Sequence, residues 1–196
     1  MSDDVQRFDR WSKTYEDCWA QRFFDGVHQL MLDLVTVAAP AFRPSAIVDV
    51  GCGTGRLLRK AAARWPAAQL IGIDPARGML EVARSLTPSA GFHQALAESL
   101  PLGDSSVDMV VSSVSMHHWR DASLGVLEVA RVLCPGGLFC LADISLPPWL
   151  AKLLHSKAKN RRAVRELLIQ SGFQMRCQRI ALARFVAISV AVKREA

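Results

Sequence analysis

The chain has no apolar run long enough to cross a bilayer. Its most apolar stretch, Phe185 to Val192, has the length of a strand and is interrupted by Ser189. It has no C-x-x-C pair: the five cysteines, at positions 18, 52, 134, 140 and 177, are scattered, which argues against a disulfide framework or a zinc site. There is a single tyrosine, Tyr15, no internal repeat and no low-complexity segment. The start, Met1-Ser2-Asp3-Asp4, is acidic and carries no apolar h-region, so nothing there marks the chain for export. A soluble, reducing, cytoplasmic setting is the expectation. What is present is 196 residues with 51% hydrophobic content, enough for one α/β domain with a continuous core and too little for two.

Acidic residues are missing from one stretch. Between Asp143 and Glu166 lie Lys152, Lys157, Lys159, Arg161, Arg162 and Arg165, which account for much of the net charge of +6. A solvated loop and helix face explains them. So does a surface, Lys152 to Arg165, that weakly attracts an anionic acceptor, a phospholipid headgroup or RNA. The interleaved aromatics of a single-strand binding platform are lacking.

Along the chain, the first forty residues read as helices. Trp11, Tyr15, Cys18, Trp19 and Phe23 recur at helical spacing, then Val27, Leu30, Met31 and Leu34, until Pro40 and Pro44. A regular alternation follows: strand Ala46–Val50, helix Arg56–Trp65 stopped by Pro66, strand Gln69–Ile73, helix Ala76–Leu86. Apolar runs continue at Phe92–Leu96, Val107–Ser112 and Leu138–Ala142, with a helix Ala122–Leu133 ended by Pro135-Gly136-Gly137. This order predicts right-handed βαβ units and a parallel sheet covered on both faces. A helix Ala163–Gln170 with Gly172 just beyond it precedes strands Gln174–Ala181 and Phe185–Val192. Their connection has no room for a crossover, so they pair antiparallel. The fold class is α/β, Rossmann-like and doubly wound: a mostly parallel seven-stranded sheet with an antiparallel C-terminal hairpin. Residues 1–43 read as an N-terminal helical segment that could close over a ligand, and 44–196 as the core of a single domain.

The segment Ala46-Ile47-Val48-Asp49-Val50-Gly51-Cys52-Gly53-Thr54-Gly55 carries the functional information. A buried strand runs into a turn whose glycines let backbone approach a ligand, and a helix starts at once. Asp74 ends the next strand, at about the 20-residue interval expected of a carboxylate that reaches ribose hydroxyls. Loop and acid together specify an adenosine-type ligand. A nicotinamide dinucleotide brings a pyrophosphate, which Asp49 would oppose, and its fingerprint needs Gly or Ala where this chain has Arg56. Asp49 instead suits the ammonium and sulfonium of S-adenosylmethionine, although it could also hydrogen-bond the loop's own N–H groups. No G-K-S/T follows the loop, so a P-loop is excluded.

Val48 to Gly55 resembles motif I of the class I S-adenosylmethionine-dependent methyltransferases, in particular the small-molecule branch typified by ubiquinone/menaquinone C-methylases. The likeness continues through Ile73-Asp74-Pro75 with Met79, Ala97-Glu98-Ser99-Leu100-Pro101, Val107-Asp108-Met109-Val110-Val111, Arg131-Val132-Leu133-Cys134-Pro135-Gly136-Gly137 and Ser171-Gly172-Phe173. The resemblance implies that Gly51, Cys52 and Gly53 lie against the methionine part of the cofactor, with Asp49 near its amino group. It implies that Asp74, followed by Pro75, takes the ribose hydroxyls and that Met79 packs on adenine, a position an ordinary core methionine could equally occupy. Ala97 and Glu98 match the adenine-edge segment, but the acid this family usually has before that Ala is here Leu96. Ser112 or Ser113 would offer a carbonyl to the ammonium. Tyr15, with Phe8 and Trp11, matches a segment that folds over the cofactor, and would serve an amphipathic helix as well.

The resemblance also places Ser115-Met116-His117-His118-Trp119 where methyl and acceptor meet. His118 is the nearer match to the family position, and His118 and Asp143 are the candidate bases; each could equally be structural. Methyl transfer needs mainly positioning, exclusion of water and, for a protonated acceptor, removal of one proton. No metal is expected. Ser112-Ser113-Val114-Ser115 is not the Asn/Asp-Pro-Pro-aromatic sequence of amino-group DNA methylases. The Pro-Cys of cytosine C5 methylases is missing too, since Cys134-Pro135 has the reverse order and reads as a turn. A nucleic-acid acceptor is thereby demoted. Ile144–Asn160, with Pro147, Pro148, Trp149 and Leu150, reads as a short acceptor lid over a pocket for an apolar or aromatic, perhaps acidic, small molecule. The competing readings are a nicotinamide-dependent oxidoreductase and a catalytically silent cofactor-binding protein.

Overall fold

The structure is a computed structural model that describes residues 3–17, 20–146, 148–153, 158–181 and 185–195. Cys18, Trp19, Pro147, Lys157 and the side chain of Phe23 lie outside what it describes. Helices α1 (Asp3–Tyr15) and α2 (Ala20–Ala38) precede β1 (Ala46–Val50), α3 (Arg56–Arg64), β2 (Gln69–Asp74), α4 (Arg77–Leu86) and β3 (Gly91–Gln94). Then come β4 (Val107–Ser113), a 3-10 turn at Met116–His118, α5 (Ala122–Val132), β5 (Leu133–Ile144), α6 (Pro148–Leu153), α7 (Arg161–Gln170), β6 (Phe173–Ala181) and β7 (Val186–Lys193). The seven strands form one sheet in the order β3-β2-β1-β4-β5-β7-β6. The first five pair in parallel, and β7 is antiparallel to both β5 and β6.

Alternation along β1 sets the two layers. Ile47 packs with Val27 and Met31 of α2 and Leu58 of α3. Val48 and Val50 join Val126 and Val129 of α5 and Leu168 of α7 on the opposite face. A period of two puts Asp49 on Ile47's side, facing the layer that α2 and α3 form. Leu58 is completely buried, and truncating it to Ala would cost about 2–5 kcal/mol. Asp121 caps α5, its side chain accepting from the N–H groups of Ser123 and Leu124, and Asn160 caps α7 in the same way.

Two sequence expectations are corrected. Pro135-Gly136-Gly137 does not end α5 as a separate turn: the helix stops at Val132 and the strand begins at Leu133. Val107 pairs with Leu133 and Met109 with Leu138, so Cys134 to Gly137 form a bulge inside β5. A Cβ on Gly137 would lie 2.8 Å from the Cys134 carbonyl oxygen, which explains the glycine. The second correction is α6, since the sequence reading placed no helix between β5 and α7.

The order of strands reverses between β1 and β4, the place where open α/β sheets leave a crevice at their carboxyl ends. Helix α1 lies across that end. The Asp9 carboxylate accepts from the Gly78 N–H at 2.8 Å, and Val5, Phe8 and Tyr15 pack with Ala76 and Met79.

Candidate functional site

The loop after β1 is held in place before any ligand arrives. Gly51 N–H and Cys52 N–H donate to the Ile73 carbonyl at 2.7 and 3.1 Å, tying the loop to β2. Gly51 has φ +74, and a Cβ there would fall 1.8 Å from Ser115 Oγ, so conformation and space both require glycine. Gly53 has φ +51, and a Cβ built on it would lie 4.0 Å from Tyr15 Cε1. Opposite the loop, Val114 has φ +52, a left-handed conformation that a β-branched residue rarely adopts; strain of this kind marks functional turns.

Two cavities meet at this loop. The first is lined by Asp74, Pro75, Ala76 and Met79 together with Leu96, Ala97, Glu98, Trp119 and Arg120. The second lies beneath α2 and is lined by His28, Asp49, Cys52, Thr54 and Arg56. Phe8, Tyr15, Gly51, Gly53, Ser113, Val114 and His118 border both, so they are two ends of one cleft with α1 over its middle.

The electrostatics of the two ends differ from those of a phosphate site. Asp49 is 2% exposed, and its Oδ1 has no hydrogen-bond partner. Burial, reinforced by the Asp74 carboxylate, pushes the Asp49 carboxyl up to about 8. Ser113 Oγ is also buried without a partner. A ligand cation with N–H donors would satisfy both orphaned oxygens, whereas a diphosphate would aggravate the burial of Asp49. Asp74 accepts from Gly53 N–H at 2.9 Å and Ala76 N–H at 2.8 Å, one to each oxygen, which leaves further lone pairs for a diol. Burial raises Asp74 to about 6, against the lowering effect of those two N–H groups. These residues fit a nucleoside with a cationic tail.

The other expected residues are distributed as follows. Met79 is fully buried in the cluster with Val5 and Ala76 and also lines the first cavity. Glu98 lines that cavity, but its Oε1 accepts the Asp121 N–H at 2.9 Å. His118 borders both cavities, with Nδ1 3.2 Å from Asp4 of α1 and its ring edge-on to Phe8. Burial is the main cause lowering its pKa, so the imidazole is neutral at pH 7. Asp143 is 3% exposed and borders neither cavity. It accepts from His117 N–H at 2.8 Å and Ile144 N–H at 2.8 Å, and lies 2.6 Å from His117 Nδ1. Asp143 therefore orients His117 and has no oxygen aimed into the cleft.

Sequence reasoning missed His28 and the ties of α1, while Ser115, expected at the cleft, lines the first cavity. His28 follows Val27 on an amphipathic helix, and nothing in the pattern distinguishes it from a helix-face residue. Glu16 pairs with Arg59 at 3.0 Å and with Arg56 at 3.4 Å, and it accepts a hydrogen bond from Thr54. The end of α1 is thereby fastened to the glycine loop.

Residues 48–141 match the family described as Methyltransferase domain. Malonyl-acyl-carrier-protein O-methyltransferase of Dechloromonas aromatica (strain RCB) is 31% identical over 185 residues, which cover 94% of this chain and 66% of that protein. Demethylmenaquinone methyltransferase of Chlorobaculum parvum (strain DSM 263 / NCIMB 8327) is 34% identical over 120 residues, covering 60% of this chain and 49% of that protein. The chain thus spans about half to just under two thirds of the length of these relatives. Among solved structures, YcgJ of Bacillus subtilis superposes with a TM-score of 0.71 at 22% identity, over 86% of this chain and 100% of that one. The [4+2]-cyclase SpnF superposes at 0.75 and 19% identity, over 86% and 81%. At those identities the neighbours establish the fold alone. The relatives, the glycine loop between two buried carboxylates and the sheet with its antiparallel end agree with one another and speak against the nicotinamide reading: residues 48–141 form a methyltransferase domain.

Proposed function

We propose that this domain transfers the methyl group of S-adenosylmethionine to a small, largely apolar acceptor, and that Tyr15, Asp49, Gly51, Cys52, Gly53, Asp74, Pro75, Met79, Ala97, Glu98 and Ser113 form the cofactor site. The observation that carries the reading is the buried, unpartnered Asp49 oxygen on one side of the glycine loop with Asp74 on the other. When bound, the cofactor supplies an electrophilic methyl on a sulfonium and a neutral thioether leaving group. Asp49 and Ser113 hold the ammonium; Asp74 orients the ribose; the glycines let backbone come close. Phe8 and Tyr15 on α1 exclude water, which strengthens each of these contacts. The acidic residue this family places before Ala97 is Leu96 here, so adenine is read by backbone and by apolar contact with Met79.

The acceptor enters beside β4. His118, neutral and at the border of both cavities, is the group best placed to take a proton from it, and the pair of Asp143 and His117 supports the turn that carries His118. The apolar lining with Arg120 at its edge favours an apolar or aromatic molecule, with an acidic group tolerated. The two relatives act, by name, on a carrier-bound malonyl group and on a demethylmenaquinone, so relatedness leaves the acceptor open within that range. Trp149, Leu153 and Phe185 are exposed, as are Lys152, Arg161, Arg162 and Arg165, and this supports weak contact with an anionic surface. Turnover of methyl-labelled S-adenosylmethionine with a panel of quinols, phenols and carboxylic acids tests the proposal. Label should pass to one acceptor class and not to water, and loss of transfer in His118→Ala with cofactor binding retained supports the proton role. The second reading is a domain that binds the cofactor without transferring its methyl group, a reading kept open by Leu96 at the position of the usual adenine-binding acid. Cofactor binding with no transfer to any acceptor would be its signature.

A further inference from the structure

The turn after β4 carries two adjacent imidazoles, and each meets its own carboxylate. His117 Nδ1 lies 2.6 Å from Asp143, a buried residue of β5, so its partner belongs to the sheet. His118 Nδ1 lies 3.2 Å from Oδ2 of Asp4, 114 residues away in the chain, so its partner belongs to α1. The two rings are 4.0 Å apart and tilted by 44°. Asp4 is held where it is by several contacts. Its other oxygen, Oδ1, pairs with Arg7 at 3.0 Å one turn along α1, and Phe8 meets the His118 ring edge-on at 5.2 Å. Asp9 and Glu16 fasten the same helix to Gly78 and to the arginines of α3. Asp4, Phe8 and His118 all line the cavity that Met79 and Trp119 also border. His118 is otherwise held through its backbone, the N–H donating to the Ser115 carbonyl at 2.9 Å, and no hydrogen bond among the described residues engages Nε2.

A neutral imidazole has one N–H and one lone pair, and the partner at one nitrogen decides which nitrogen carries which. An ionised carboxylate only accepts, so Asp4 puts the proton on Nδ1 and leaves Nε2 with the lone pair. Its charge also favours the imidazolium that forms when that lone pair takes a proton. Burial, His117 and Arg7 act the other way, and the net effect is the lowered pKa that keeps the ring neutral beforehand. We propose that Asp4 of α1 is a positioning residue for His118: its carboxylate selects the imidazole tautomer whose Nε2 can accept a proton from the methyl acceptor. This rests on the reading of His118 as the base and adds the residue that prepares it. Because the carboxylate arrives on α1, the base is complete only while that helix lies over the cleft, the same state in which water is excluded.

Heteronuclear NMR of the histidine rings tests this on the protein alone, with His117 and His118 assigned from His117→Gln and His118→Gln. Wild-type His118 should be the Nδ1–H tautomer. Asp4→Ala should shift it towards the Nε2–H form that a free side chain prefers and lower its pKa by about half a unit, the size of a half-exposed ion pair. Asp4→Asn keeps an accepting oxygen and loses the charge, so it should retain the tautomer and show the lowered pKa. Asp4→Glu should restore both in part. His117, held by Asp143, should keep its tautomer in all three variants. The Gly78 amide, which donates to Asp9, reports whether α1 is still seated; where Asp4→Ala moves it, the Asn and Glu variants decide. A wild-type His118 in the Nε2–H form would overturn the proposal. So would a tautomer and pKa that the Asp4 variants leave unmoved, or that move only together with those of His117, which would make Asp4 a packing residue. Transfer by His118→Ala at the wild-type rate in the acceptor panel would overturn the reading of His118 as the base, and the positioning role with it.

Discussion

Asp49→Asn separates the two roles of the Asp49 carboxylate. The side chain is buried, its Oδ1 is unpartnered, and its carboxyl is pushed up to about 8 by burial and by Asp74. At pH 7 ionising it in the empty protein costs about 1.4 kcal/mol, one unit's worth. The bound ammonium offsets that cost through a charge-assisted hydrogen bond worth about 1.5–3 kcal/mol. If the ligand binds only the ionised form, affinity follows the ionised fraction. The dissociation constant at pH 6.5 should then be about fifteenfold that at pH 8, with a proton released on binding. The Asn variant should bind S-adenosylhomocysteine about ten- to a hundredfold more weakly at pH 8 and lose the pH dependence. Stability should move the other way. The folded protein retains at Asp49 a proton that the unfolded chain loses above 3.8, so this group's contribution to stability falls as pH rises from about 4 towards about 8. Asn has no charge to bury, and the empty variant should melt higher than wild type at pH 8. Calorimetry in buffers of differing ionisation enthalpy, with a thermal melt alongside, reads all of this. Binding in wild type that is flat between pH 6.5 and 8, or a variant that melts lower and binds as tightly, would refute the reasoning.

Gly51→Ala should destabilise by about 2 kcal/mol or more in urea unfolding, because Cβ meets Ser115 Oγ and φ is +74. Adding Ser115→Gly should recover only the steric part. Asp143→Ala strips His117 N–H, His117 Nδ1 and Ile144 N–H of their acceptor and should cost about 3 kcal/mol, while S-adenosylhomocysteine affinity changes little. Asp9→Ala frees Gly78 N–H and loosens α1, so stopped-flow dissociation of S-adenosylhomocysteine should accelerate severalfold with adenosine affinity nearly unchanged.

Most of the parallel half of the sheet was legible because β1, β2 and β4 are short apolar runs, and β1 falls on Ala46–Val50 as read, whereas β3 is the largely exposed Gly91–Gln94 and not the run Phe92–Leu96. The terminal hairpin was legible from the length of its connection alone. The bulge in β5 was not, since Pro-Gly-Gly reads locally as a stop and only pairing with β4 turns it into strand. Asp49 and Asp74 stood out by their distance from the glycine loop. His28 did not: its unsatisfied nitrogen depends on what α3 and the loop place around it. His117 and His118 are neighbours in sequence with divergent roles, and the buried Asp143 carboxylate decides which is tied to the sheet. Ties between α1 and the loop, through Glu16 and Asp9, join residues far apart in the chain and leave no periodic trace.

A crystal structure with S-adenosylhomocysteine bound is the most direct measurement. The account predicts the ribose diol on Asp74, the ammonium between Asp49 and Ser113, and α1 closed over the thioether. An adenosine lying elsewhere, or a tail directed away from Asp49, would contradict it.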